Sequence, residues 1–234
     1  MAMRVLTIIH QDDAGPGVFA EVPGAELVPW KADREPAPAL DGVDAALVLG
    51  AAANVEDTEA NPWMAEDIRV VAELLSRGVP TLGVCLGAQL MAKAAGGAVE
   101  RAPQPEIGWY EVALEEAAVD DPLIGALPQR FESFQWHSYV AVPPPGHEVL
   151  ARSAQCLQAF RLTDAPAWGI QFHAEVSPTD AAYWAQHYSS DPDAVAMGLD
   201  PVALRAENER RMAGWNELGR QLFGRFLAHQ RQGV

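Results

Sequence analysis

The chain has 234 residues, 49% of them hydrophobic, with 32 acidic against 16 basic side chains and a formal net charge of −16. That length and apolar content suit one α/β domain with a sizeable core and exclude a disordered chain. The negative field repels phosphate backbones and anionic lipid, so neither nucleic acid nor a membrane surface is expected as a partner.

Arg4 to His10 reads as a buried, β-branched strand of the parallel type. Asp12 and Asp13 follow at once, so this start is expected to be a first strand and not a signal peptide. No run approaches a membrane span. Cys85 and Cys156 are too few for a disulfide framework, and a reduced cytoplasm is the expected location. Gln11 to Gly17 is a turn-rich loop, Ala25 to Trp30 a second strand, and Lys31 to Gly42 a surface connection. Asp44 to Leu49 predicts another buried strand, running into Gly50-Ala51-Ala52, whose small side chains let a ligand approach the backbone. Asn61-Pro62 starts a helix, and Met64, Ile68, Val71, Leu74 and Leu75 mark its apolar stripe up to Ser76.

The next stretch, Val79 to Met91, organises the rest. A short apolar strand ends on Cys85, a helix-forming run from Ala88 to Ala95 follows, and glycines stand two residues before and two after the cysteine. Gly83-x-Cys85-x-Gly87 has the form of a nucleophile elbow with Cys in place of Ser, the alternative at this point being a cysteine that is simply part of the core. Such a turn strains the nucleophile's backbone and tolerates no bulky neighbours. At the N-terminus of the following helix, free N–H groups and the positive dipole end favour thiolate over thiol and stabilise a developing oxyanion. Successive strand–helix units argue for a parallel sheet with helices on both faces and the site beyond the carboxyl ends of its strands.

From Gly96 the texture changes. Ala98 to Val99, Trp109 to Leu114 and Arg130 to Val140 are short alternating segments that predict an antiparallel portion. His137 lies within it, either as a base or as a structural or substrate-lining histidine. Glu148 to Ala151, Cys156 to Leu162 and Ala167 to Phe172 are three further strand candidates. The last leads into His173-Ala174-Glu175, where residues two apart face one side and a carboxylate can fix the tautomer of an imidazole. His-x-Glu could also offer two metal ligands, but no third ligand lies at a convincing spacing. Ser177 to Asp180 resembles a helix cap, Ser189 to Pro201 is a polar loop, and residues 202–229 form a long amphipathic run. Residues 1–190 are therefore read as one domain and 191–234 as a helical extension packed on it.

Gly83-Val84-Cys85-Leu86-Gly87-Ala88-Gln89, followed some ninety residues later by Gln171-Phe172-His173-Ala174-Glu175, resembles the class I, triad-type glutamine amidotransferases, in particular stand-alone members similar to the amidotransferase part of GMP synthase. The likeness spans roughly residues 44 to 180. It implies a flavodoxin-like or Rossmann-like fold: a mostly parallel twisted sheet with helices on both faces, a small antiparallel portion and a C-terminal helical tail. It also implies a cysteine nucleophile at Cys85, a general base and then acid at His173, and Glu175 as its orienting group. A γ-glutamyl thioester would form and be hydrolysed, releasing ammonia. By the same likeness, the N–H groups of Ala51 and Leu86 form the oxyanion hole, and Gly50, Gln89, Trp136, Ser138 and Tyr139 bind substrate. No cofactor or metal is implied. Two stretches depart from the family's usual pattern, which has Gly-Gly-Pro where this chain has Gly50-Ala51-Ala52, and Pro where it has Ala174.

The leading expectation is a glutamine-amide hydrolase feeding ammonia to a separate synthase subunit, or a homo-oligomer. The alternatives are a γ-glutamyl peptide or conjugate hydrolase that needs no partner, and a non-catalytic binding or regulatory homologue.

Overall fold

The computed structural model describes residues 2–232. Met1, Gly233 and Val234, at the outer ends of the two predicted segments, lie outside them. The strands in chain order are β1 (Met3–Ile9), β2 (Ala25–Lys31), β3 (Ala45–Val48), β4 (Thr81–Val84), β5 (Ala98–Leu114), β6 (Arg130–Val142), β7 (His147–Arg152), β8 (Leu157–Leu162) and β9 (Ala167–Ile170). The helices are α1 (Met64–Ser76), α2 (Leu86–Ala94), α3 (Pro178–Gln186), α4 (Pro192–Ala196) and α5 (Pro201–Gln232).

All the strands join one sheet in the order β2-β1-β3-β4-β9-β8-β7-β5-β6. From β2 to β9 every pairing is parallel; from β9 to β6 every pairing is antiparallel. The central strands β3, β4 and β9 are buried at every residue, which is why they read as continuous apolar runs. Alternation along β1 sends Val5 and Ile9 into one core layer and Leu6 and Ile8 into the other. The second layer packs under Val70, Val71 and Leu74 of α1 and Leu90 and Met91 of α2. The first is closed by α5, whose Phe223 stacks on Phe19 with ring centroids 4.8 Å apart and whose Phe226 meets Trp168 edge-on. Helices on both faces follow the expectation.

The antiparallel end is more extensive than its short sequence segments suggest. Ala98–Val99 and Trp109–Leu114 are two ends of the single strand β5, which pairs with β6 on both sides of a register shift between Arg101 and Glu106. Pro103 and Pro105 fall in that shift. Lacking N–H groups, they interrupt the ladder without ending the strand.

The Ser177 cap is a full capping box: Ser177 Oγ accepts from the Asp180 N–H at 3.2 Å, and Asp180 Oδ2 accepts from the Ser177 N–H at 3.0 Å. The polar loop expected over Ser189–Pro201 is instead largely ordered. A 3-10 turn (Tyr188–Ser190) leads into α4. Asp191 is its N-cap, with Oδ1 accepting from the N–H groups of Asp193 and Ala194, and Pro192 stands at the first helical position.

Candidate active site

Three adjacent parallel strands bring the predicted catalytic and oxyanion-hole residues to one rim of the sheet, while Trp136, Ser138 and Tyr139 come from β6 and Gln89 from α2. β3 ends just before Gly50-Ala51-Ala52, β4 just before Cys85, and β9 shortly before His173. Because β4 lies between β3 and β9, residues far apart in sequence converge beyond neighbouring carboxyl ends.

Cys85 takes φ 53° and ψ −111°, the only positive φ outside glycine among the described residues. Backbone strain held at this point is characteristic of a functional turn. A Cβ at Gly83 would come within 2.6 Å of the Gly87 carbonyl oxygen, and one at Gly87 within 2.0 Å of the Val48 carbonyl oxygen. Steric exclusion thus accounts for both glycines of the elbow. The Cys85 N–H donates to the Ile170 carbonyl at 2.8 Å, which ties the turn to β9.

The His173 ring lies across from the sulfur. A Cβ placed on Gly50 would sit 3.2 Å from His173 Cε1 and 3.9 Å from Cys85 Sγ, so the imidazole and the thiol flank one carbon's width of space. Glycine at position 50 keeps that space open. Glu175 Oε1 is 2.7 Å from His173 Nδ1, and both side chains are buried. His173 Nε2 has no hydrogen-bond partner among the described residues. Burial opposes charge on this ring, but the Glu175 carboxylate and negative charge on Cys85 outweigh it and lift the imidazole to about 10. Trp184 stands edge-on to the ring at 4.9 Å, and Trp215 Nε1 donates to the His173 carbonyl at 2.8 Å. The Glu175 Oε1 contact on Nδ1 is placed to fix the orientation of the imidazole.

A cavity of about 360 Å³ opens onto these groups, and each predicted site residue lines it except Glu175, which stands behind the imidazole. Leu86 is the first residue of α2, where a backbone N–H has no intrahelical acceptor. Ala51 and Ala52 keep negative φ, so alanine in place of the family's glycine and proline brings no strain. The Ala52 N–H donates to Gln11 Oε1 at 2.8 Å, which anchors this loop. Gln89 is buried, and its Nε2 donates to the Tyr139 carbonyl at 2.9 Å, holding α2 against β6. The side chains of Trp136 and Ser138 are committed to the α4 segment: Trp136 Nε1 donates to Asp191 Oδ2 at 2.8 Å, and Ser138 Oγ to Asp193 Oδ2 at 2.5 Å. Arg101 completes the clamp on Asp193 at 2.5 Å. The Ser138 hydroxyl and the Arg101 guanidinium together hold the Asp193 carboxyl below the usual carboxylate range. His137 also borders the cavity, but its ring is engaged with Glu106 at 3.2 Å, which leaves His173 as the base candidate.

Sequence reasoning missed Gln11, Trp184, Asp191 and Asp193. Asp191-Pro192 carried a readable helix-start signal; the other three had none, because their contacts are made across the fold.

Residues 23–187 match the family described as glutamine amidotransferase class-I. This chain belongs to that family. Among curated relatives, it is 34% identical over 145 residues to a glutamine-hydrolyzing GMP synthase of Aeropyrum pernix, covering 62% of this chain and 28% of that one. It is 38% identical over 104 residues to a Pyrococcus abyssi protein named as one subunit of glutamine-hydrolyzing GMP synthase, covering 44% and 54% respectively. The chain thus spans little more than a quarter of the length of the full synthase it matches. A solved glutamine amidotransferase from Thermotoga maritima superposes with a TM-score of 0.85 at 26% identity, covering 97% of this chain and 99% of that one. One from Methylobacillus flagellatus gives 0.82 at 26% identity, with 97% and 94% covered. The class-I fold therefore extends through α5. No described helix is long and apolar enough to cross a membrane.

Proposed function

We propose that this class-I amidotransferase hydrolyses the side-chain amide of glutamine through Cys85, His173 and Glu175. The observation that carries the reading is the convergence of the Cys85 sulfur and the His173 imidazole beside Gly50, with Glu175 on Nδ1. Cys85 as thiolate attacks the amide carbon, and the N–H groups of Ala51 and Leu86 receive the developing oxyanion. His173, having taken the thiol proton, returns it to the departing nitrogen, so ammonia leaves and a γ-glutamyl thioester remains. Water activated by His173 then attacks the thioester, releasing glutamate and restoring the thiol. Glu175 stabilises the imidazolium in both halves and fixes the tautomer. The main chain of β6 at Trp136, Ser138 and Tyr139 holds the amino-acid end of the substrate, because the Trp136 and Ser138 side chains are already engaged with α4.

The ammonia is passed to a separate synthase protein. The relative named as one subunit of a larger synthase supports this reading. Release of ammonia and glutamate from glutamine, measured with and without candidate partners, tests the assignment. Wild type should exceed Cys85→Ala by several orders of magnitude, and equal rates under both conditions would remove it. Faster turnover of a γ-glutamyl peptide than of glutamine would reassign the substrate and keep the nucleophile.

A further inference from the structure

On the far side of β6 from the α4 clamp lies a second buried polar cluster that this chemistry does not use. Successive residues of a strand face opposite ways, so His137 turns away from the side occupied by Trp136 and Ser138. There His137 Nε2 stands 3.2 Å from Glu106 Oε2, and Cys156 Sγ stands 3.3 Å from the same oxygen. One donor atom from each of the three residues lies within 4.8 Å of the others. The residues come from three places: β5 just past its register shift, β6, and the turn between β7 and β8.

An independent observation points to a missing occupant. The side chains of Glu106 and His137 are each 1% exposed. Even so, Glu106 Oε1 and both ring nitrogens of His137 have no hydrogen-bond partner among the described residues. Buried polar atoms left in this state are rare, and a bound ion is one of the partners that would satisfy them. The spacing also fits. Tetrahedral bonds of about 2.0–2.3 Å place neighbouring ligand atoms roughly 3.3–3.7 Å apart, close to the two separations here. Gln158 supplies the surrounding support: its Nε2 lies 2.6 Å from Glu106 Oε2 and 3.3 Å from Cys156 Sγ, and its Oε1 accepts from Gln135 Nε2 at 2.7 Å.

We propose that Glu106, His137 and Cys156 form a binding site for a divalent transition ion of the zinc class, with a fourth position left to water. Sulfur and nitrogen donors together exclude magnesium and calcium, which take oxygen ligands. On binding, the S–H bond of Cys156 breaks, its proton goes to solvent, and a sulfur–metal bond forms. Cys156 is less buried than the other two ligands, so the ion enters from the β7–β8 turn. The bound ion ties β5, β6 and the β7–β8 turn together and sets the position of β6, whose neighbouring residues line the pocket.

Cobalt(II) titrated into the full-length Cys85→Ala protein, stripped with chelator beforehand, tests the site without interference from the other thiol. One equivalent is expected to raise a thiolate-to-cobalt charge-transfer band that zinc displaces and that Cys85→Ala/Cys156→Ser lacks, with unchanged circular dichroism. Should the double variant fail to fold, zinc-edge X-ray absorption of the zinc-loaded Cys85→Ala protein decides instead, with one sulfur expected in the coordination sphere. Absence of the band, a band that survives in the folded double variant, or a zinc sphere without sulfur overturns the proposal.

Discussion

The imidazole of His173 is the residue on which both the proposed chemistry and the pH response turn. Its ionisation is raised from 6.5 in the free side chain to about 10, against the cost of burial, by Glu175 and by negative charge on Cys85. A group raised in this way stabilises the fold fully below its unfolded value, and that contribution is lost as pH rises through the folded value. Unfolding free energy should therefore fall between pH 6.5 and 10, with the loss coming from this ring. Urea denaturation across that window should show a flatter profile for His173→Gln than for wild type. Parallel profiles would mean that the imidazole is not held as a cation in the folded protein. The elbow residues were legible in sequence for a steric reason: only glycine fits where Gly83 and Gly87 meet backbone within 2.6 and 2.0 Å. His137 was not separable from His173 by residue type alone. The pairing of β6 with β5 decides it, by setting His137 against Glu106.

At the scale of elements, the α4 segment is the part of the site that sequence reading left as loop. Its local signals are short, and a five-residue helix adds little periodicity. What holds it is tertiary: Asp191 on Trp136, and Asp193 on Ser138 and Arg101. We expect Asp193→Ala to release this wall of the pocket and raise KM for the amide substrate roughly tenfold, equivalent to ~1.4 kcal/mol. That is less than a buried charged hydrogen bond would cost, since the Asp193 side chain is partly exposed. Steady-state kinetics check it, with kcat expected to change much less than KM. A fall in kcat with unchanged KM would show that α4 acts on the chemistry and not on binding. The divided strand β5 teaches the same lesson in reverse, because prolines that read as breaks only shift the register.

Over the whole molecule, α5 is a wall of the core and also a support of the site. Trp215, Leu222, Phe223, Phe226 and Leu227 are buried, and Trp215 Nε1 and Asn216 Nδ2 donate to the carbonyls of His173 and Val176. Truncating a buried Phe or Trp to Ala costs about 3–5 kcal/mol, against a total stability of ~5–15 kcal/mol for a typical domain. Removal of residues 201–234 should leave a chain that no longer unfolds cooperatively. Phe223→Ala should lose about 3–5 kcal/mol in urea denaturation while turnover per folded molecule stays close to wild type. A truncated protein that remains soluble and unfolds cooperatively would show that α5 is dispensable to the core.

The sequence by itself determined the chemistry on offer and the strand–helix succession that makes one end of the sheet parallel. Both are written in local signals: an apolar run of strand length, glycines where no Cβ fits, and a histidine and a carboxylate two residues apart. Only the tertiary structure decided what stands opposite what. Adjacency of β3, β4 and β9 brings Gly50, Cys85 and His173 together, and α4 closes over β6. The Glu106–His137–Cys156 cluster likewise forms only when β5, β6 and the β7–β8 turn meet. Such contacts join residues tens of positions apart, and their energy is gained only after the chain between them has folded, so no short-range pattern records them.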